Sequence, residues 1–139
     1  MPGILYVATG DKFVSEAAES ARSLKSHMDV PVALITDQPE APGVFNQLIS
    51  IENPQYGFGD KVMNIHRSPF EKTVFVDNDT YFADEISEVF DLLDQYQLAA
   101  AHSPWRIAHP LPDTPDAFTE YNTGVIAFRD CPETDLLFS

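Results

Sequence analysis

The stretch Lys72-Thr73-Val74-Phe75-Val76-Asp77-Asn78-Asp79-Thr80 decides how the rest of this 139-residue chain is read. From Thr73 to Val76 it is β-branched or aromatic at every position, with no polar alternation, which is the pattern of a strand buried on both faces. The run ends abruptly at an acid, an amide and a second acid. Side chains at i and i+2 can converge where the backbone turns, because the alternation that parts them along an extended strand is broken there. Two carboxylates at that spacing suit a hard divalent cation, which takes oxygen ligands and keeps positions open for phosphate oxygens. The plain alternative is an Asx-type turn that only closes the strand.

Outward from this strand, apolar runs alternate with helical periodicity. Gly3 to Ala8 is a short apolar run that ends at Thr9-Gly10-Asp11 and predicts a buried strand entering a loop. Phe13, Ala17, Ala21, Leu24 and Met28 recur at three- and four-residue steps, opposite Glu16, Glu19, Arg22 and Lys25, and predict an amphipathic helix. Val30 to Thr36 is a second strand, closed by the turn-rich Asp37 to Gly43, and Val44 to Ile51 a third. Asp60 to His66 reads as a short helix. After the acids, Asp84 is placed to cap a helix with Ile86, Val89, Phe90 and Leu93 inward. Leu98 to Ala101 is a strand, Ser103 to Phe118 a Pro-rich loop, and Val125 to Phe128 the last strand. This order implies a single α/β domain over residues 1–139, a mostly parallel open sheet with helices on both faces. In such sheets ligands bind beyond the carboxyl ends of the strands, where Thr9, Asp37, Asp77 and Asp79 all fall.

Eight basic residues against 22 acidic ones give a formal charge of -14, which argues against nucleic acid and anionic lipid as partners. The acids are scattered, so they cover a surface rather than form a tail, and a salt-rich cytoplasm suits them as well as an ordinary one. The single Cys131 fits a reducing compartment. The first residues have no basic segment, and their apolar run is only strand length. Neither signal peptide nor transmembrane segment is expected, and a cytoplasmic location follows by default. A diphosphate approaching so acidic a chain meets repulsion, so binding one requires a cation or a nearby lysine. Among Lys61, Arg67 and Lys72, Lys61 is the choice, with a solvated surface lysine as the alternative.

The segment Lys72 to Thr80 resembles the hydrophobic strand and Asp-X-Asp motif of GT-A glycosyltransferases, particularly family 8-like and related nucleotide-diphospho-sugar transferases. Gly59-Asp60-Lys61-Val62-Met63-Asn64 with Ser68-Pro69-Phe70 is similar to the family's segment before the motif. Asp84-Glu85-Ile86 with Val89-Phe90 is similar to its following helix, and Tyr121-Asn122-Thr123-Gly124-Val125 to its Asn-X-Gly-Val element. The resemblance runs from Ala8 to Phe128. It implies a GT-A, Rossmann-like fold and metal-dependent transfer of a sugar from a nucleotide-diphosphate donor to an acceptor hydroxyl. Mn²⁺ or Mg²⁺ is the implied cofactor, a UDP-sugar the favoured donor, and a saccharide or other hydroxyl compound the acceptor. By position, it implies Ala8, Thr9 and Asp11 near the nucleoside and Lys61 and Asn78 near the donor. Asp77 would lie toward metal and ribose, Asp79 on the metal, and Asn122 and Gly124 toward the transferred sugar or acceptor. No residue declares itself as a catalytic base. On the residues alone, Thr9 and Asp11 serve equally as helix caps, and Asn122 and Gly124 as a turn needing positive φ.

Members of that family continue well past the last strand and supply a further metal ligand, often a histidine, from that region. The expectation is therefore a domain lacking the C-terminal part of a full-length member, or one completed by a partner chain or oligomer. A catalytically inactive nucleotide- and metal-binding subunit is the alternative. His102 and His109 are the histidines placed to approach the site, and Trp105 beside them either stacks on a ligand or packs down. A haloacid-dehalogenase-like phosphatase also sets Asp-X-Asp after an apolar strand. That motif wants Thr or Val where this chain has Tyr81, and it lies on the first strand.

Overall fold

A computed structural model of the chain describes residues 1–105, 112–115, 117 and 119–139. In chain order the elements are β1 (Pro2–Val7), α1 (Asp11–Lys25), β2 (Val32–Thr36), β3 (Gln47–Ser50) and α2 (Phe58–Asn64), which runs into a 3-10 turn (Ile65–Arg67). Then come β4 (Lys72–Val76), α3 (Ser87–Leu92), β5 (Leu98–His102), β6 (Tyr121–Arg129) and α4 (Pro132–Phe138). The strands form one six-stranded sheet in the order β3-β2-β1-β4-β6-β5. The first four strands pair in parallel, and β6 runs antiparallel to both β4 and β5. The sheet is α/β and mixed: its parallel half is buried, while the antiparallel edge leaves much of β5 and β6 wet, as antiparallel pairing tolerates.

Successive side chains along the central strands part to opposite faces. Ile4, Tyr6, Val32, Leu34, Val74 and Val76 enter one core with Val14, Ala17, Ala21 and Leu24 of α1 and Phe90 of α3. Leu5, Val7, Ala33, Ile35 and Phe75 enter the other, against Ile65, Phe70, Phe128 and the half-buried Phe138. Both faces of the sheet are thus covered, which is why its strands lack polar alternation. Each large apolar side chain so buried contributes about 1.5–3 kcal/mol.

Several boundaries differ from the sequence expectation for visible reasons. Helix α1 packs through Val14, Ala17, Ala18, Ala21 and Leu24, and Phe13 is 42% exposed, outside that stripe. Strand β3 starts only at Gln47, because Asn46 precedes it with both groups turned on Val32: its N–H donates to Val32 O at 2.8 Å and its Oδ1 accepts the Val32 N–H at 2.9 Å. Asp84 does not cap α3, which begins at Ser87. The Asp84 carboxylate accepts the Glu85 N–H at 2.8 Å, and Glu85 in turn accepts the Ser87 N–H at 3.1 Å. Strand β6 starts at Tyr121, ahead of the expected Val125, and α4 is an element the apolar pattern did not show. It has Pro at its start and a reciprocal Cys131–Thr134 cap, and it holds Phe138 edge-on to Phe128 at 5.0 Å between ring centroids.

Gly3 on β1 is required by close approach. A Cβ there would lie 2.5 Å from ring carbons of Phe70, a side chain only 7% exposed and unable to swing away. Gly3→Ala should therefore destabilise the fold by about 1–3 kcal/mol, seen as a lower urea midpoint at unchanged m-value.

Candidate functional site

Strands β1 and β4 lie side by side, yet the chain leaves β1 toward β2 on one side and enters the site again from β4 on the other. Where the strand order reverses, the loops part and leave a crevice beyond the carboxyl ends. Here the crevice is a cavity of about 430 Å³. Its walls come from Thr9 after β1, Phe13 and Glu16 of α1, Tyr56 to Phe58 with Asp60 and Lys61 at α2, and Phe75, Asp77, Asn78 and Asp79 of β4 and its loop.

The acids stand where β4 turns. The Asp77 N–H donates to Gly124 O at 2.8 Å and the Asp77 carbonyl accepts the Thr80 N–H at 3.1 Å, so the turn closes through backbone. The Asp77 side chain is engaged across the fold, its Oδ1 accepting from Lys61 Nζ at 2.8 Å. Lys61 is no solvated surface lysine. Its side chain is 17% exposed, its Nζ also donates to Thr123 O at 2.7 Å and sits 4.8 Å from the centroid of the Phe75 ring. One of the two carboxylate charges is thereby balanced within the chain, while Asp79 remains exposed on the cavity. The buried Oδ1 of Asn78 has no hydrogen-bond partner among the described residues, an unmet acceptor that costs about 1–3 kcal/mol unless a donor reaches it.

Gly124 and Asn122 lie on β6 rather than in a turn, and Gly10 is the glycine with positive φ among the described residues. What Gly124 provides is proximity. A Cβ there would fall 3.1 Å from Asp77 Oδ2 and 3.0 Å from Asn122 Oδ1. Asn122, exposed on the strand, folds back along it, its Oδ1 accepting the Gly124 N–H at 2.8 Å.

The β1 side of the cavity is organised by a residue that sequence reading passed over. Asp60 is 4% exposed, and its carboxylate accepts the Thr9 hydroxyl and the Gln55 and Tyr56 N–H groups, each at 2.8 Å. Burial pushes this carboxyl up, but the Gln55, Thr9, Tyr56 and Gly57 donors together outweigh it and hold it below the ordinary carboxylate range. Thr9 is therefore spent on fixing the loop before α2, not on capping α1, whose Gly10 N-cap has no side-chain bond. Of the other residues expected on the nucleoside side, Ala8 is packed in the core and Asp11 is exposed on the first turn of α1. Neither lines the cavity. Asp37 accepts the Gly10 N–H at 2.9 Å and faces the Tyr56 phenol. The signal that could have revealed Asp60 is an acid on the first turn of a short helix, after two closely spaced glycines and adjacent to the lysine already singled out.

Among the described residues no group of three or more His, Cys, Asp or Glu is placed to hold a metal. His102 packs its ring on Tyr121 at 5.1 Å between centroids, and His109 lies outside the described residues. Trp105 is 74% exposed and so is not packed down. Asp77 and Asp79 still fit Mg²⁺ or Mn²⁺, since such ions are commonly bound by one or two carboxylates, with water and substrate phosphates completing the shell.

The six-stranded mixed sheet, with its strand order reversing between β1 and β4, has the GT-A fold seen in solved glycosyltransferases. The chain is similar to the galactosyltransferase LgtC, solved in complex with donor and acceptor sugar analogs, at a TM-score of 0.66 and 13% identity. It is likewise similar to the glycosyltransferase GlyE of Streptococcus pneumoniae TIGR4, at a TM-score of 0.69 and 14% identity. The matches cover 93% and 98% of this chain but only 58% of LgtC and 36% of GlyE. At such identities the likeness is one of fold. No protein-family model and no curated protein matches the sequence. Among the described residues, no helix is long and apolar enough to cross a membrane.

Because the folded-state value of Asp60 is lowered, the stability it gives is fully present above the unfolded value, about 3.9, and is lost as pH falls through the folded one. Thermal unfolding midpoints should therefore fall as pH drops below about 4. Asp60→Asn should lower the midpoint at pH 7 and flatten that acid dependence.

Proposed function

We propose that this chain is the donor-binding portion of a metal-dependent glycosyltransferase that moves a sugar from a nucleoside diphosphate to an acceptor hydroxyl. One observation carries it: Asp77, Asn78 and Asp79 stand on a cavity at the reversal point of the sheet, with Lys61 beside them. A sugar nucleotide is an elongated ligand, aromatic at one end and doubly phosphorylated in the middle. The cavity offers Phe13 of α1 and Tyr56 before α2, and, with Lys61 of α2 reaching to it, the Asp77–Asp79 turn after β4.

Asp77 and Asp79 would hold Mn²⁺ or Mg²⁺, and such a cation, when bound, offsets the charge that develops on the leaving diphosphate. In a chain of formal charge -14 that offset also makes approach of the donor favourable. Lys61 fixes one oxygen of Asp77 and ties β4 to β6. Of its three N–H groups the weakest engagement is with Thr123 Oγ1 at 3.5 Å, the contact a phosphate oxygen can take over. The unmet Asn78 oxygen suits a ribose or sugar hydroxyl. Gly124, with no side chain over the Asp77 carboxylate, keeps room there for the transferred sugar, and Asn122 next to it belongs to the sugar or acceptor side. The resemblance of the motif favours UDP as the nucleotide and a saccharide or other hydroxyl compound as acceptor.

Titration calorimetry with UDP and GDP, with and without Mn²⁺, tests this. UDP binding should require the metal and vanish in Asp79→Ala. Lys61→Ala should weaken it about tenfold or more, as loss of a charge-assisted bond of about 1.5–3 kcal/mol implies. Binding that ignores both metal and Asp79 would overturn the proposal. Sugar-nucleotide hydrolysis by the same protein separates an enzyme from a binding subunit.

A further inference from the structure

We infer that Tyr56 is a pre-set aromatic wall of the cavity on which the planar base of the nucleotide stacks; this rests on the donor site proposed above. Tyr56 adopts φ 57, one of two non-glycine residues with positive φ among the described residues. The left-handed region is unfavourable for a bulky side chain and persists only where surrounding contacts over-determine it. Tyr56 is held through its backbone. Its N–H donates to Asp60 Oδ2 at 2.8 Å, and its phenol faces the Asp37 carboxylate.

Both carboxylates are themselves fixed, Asp60 by Thr9 and Gln55 and Asp37 by the Gly10 N–H at 2.9 Å and Gln38 at 3.1 Å. The loops after β1 and β2 and the loop before α2 thus converge on one ring. That ring lies beside Gly10, where a Cβ would come within 3.8 Å of Tyr56 Cδ1.

Core packing does not account for so constrained a residue, because Tyr56 remains 61% exposed while lining the cavity. A ring whose backbone is fixed, with a face open to a ligand site, has lost part of its freedom before anything binds. That is the condition under which stacking contributes most to affinity. Phe13 of α1, 42% exposed, lines the same cavity, while Asp77 and Asp79 come from the loop after β4 and Lys61 of α2 reaches over to Asp77, so the base rather than the phosphates falls to the aromatic side.

The test compares UDP with inorganic pyrophosphate, each with Mn²⁺, on Tyr56→Gly and Tyr56→Phe. Tyr56→Gly relaxes the left-handed backbone, so the thermal midpoint should hold, while UDP binding weakens about tenfold, as loss of one base–aromatic stack implies, and pyrophosphate binding stays unchanged. Tyr56→Phe, which keeps the ring, should retain most of the UDP affinity. If the glycine variant unfolds, Tyr56→Leu carries the same expectation without the flat ring. UDP binding unaltered in the glycine or leucine variant, or an equal loss for UDP and pyrophosphate, overturns the inference and leaves the donor site standing. Failure of the unmodified protein to bind either ligand removes both.

Discussion

The arrangement of the whole molecule depends on one topological constraint: β1 and β4 are parallel neighbours whose chains depart to opposite sides of the sheet. Parallel strands bring their carboxyl ends to the same edge, and loops that diverge from adjacent ends cannot pack on each other. The gap between them is the cavity. Everything polar in the site is then a matter of which groups the two diverging loops carry. The β1 side brings Thr9, tied to Asp60, and the β4 side brings Asp77, tied to Lys61. Each pair joins a strand-end loop to the same short helix α2, since Asp60 and Lys61 are consecutive on it. A single helical turn thus spans the crevice, its acid gripping one bank and its base the other.

This sharing of roles also shows how so acidic a chain keeps carboxylates in a partly buried site. Asp60 is stabilised by neutral donors, chiefly backbone N–H groups, and needs no cation. Asp77 is balanced by Lys61. Asp79 alone of these three stands exposed on the cavity, and an exposed carboxylate is the least costly of them to keep ionised.

Most of the fold was legible because the central strands are buried on both faces and so appear as unbroken apolar runs. Strands β1, β2, β4 and β5 begin and end within two residues of their expected limits. What could not be read was structure held by tertiary contacts. Strand β6 reads as polar in its first half because Tyr121 to Thr123 are exposed, and nothing local marks them as paired with β5. Asn46 truncates β3 by bonding a residue 14 positions away. In the site, the motif residues Asp77 to Asp79 and Lys61 stood out by type and spacing, and the structure brings them to one cavity. Asp60 and Tyr56 did not stand out, and Asp37 did only as an acid at a strand end, since their significance lies in hydrogen bonds between separate loops. Phe13 was assigned to the core because its spacing fits the helical stripe, but α1 buries the neighbouring Val14 instead.

Strand β6 carries a consequence for how this chain tolerates change in length. Its buried end, Ala127 and Phe128, is locked in register with β4, while its wet end lays Gly124 over the Asp77 carboxylate. Adding or removing one residue between those points would exchange the two faces of the strand and bring the side chain of Thr123 or Val125 onto the spot that only a hydrogen atom now occupies. Surface substitutions along this strand are cheap, but its reading frame is not: the count of residues from Gly124 to Phe128 acts as a ruler that keeps the carboxylate uncovered.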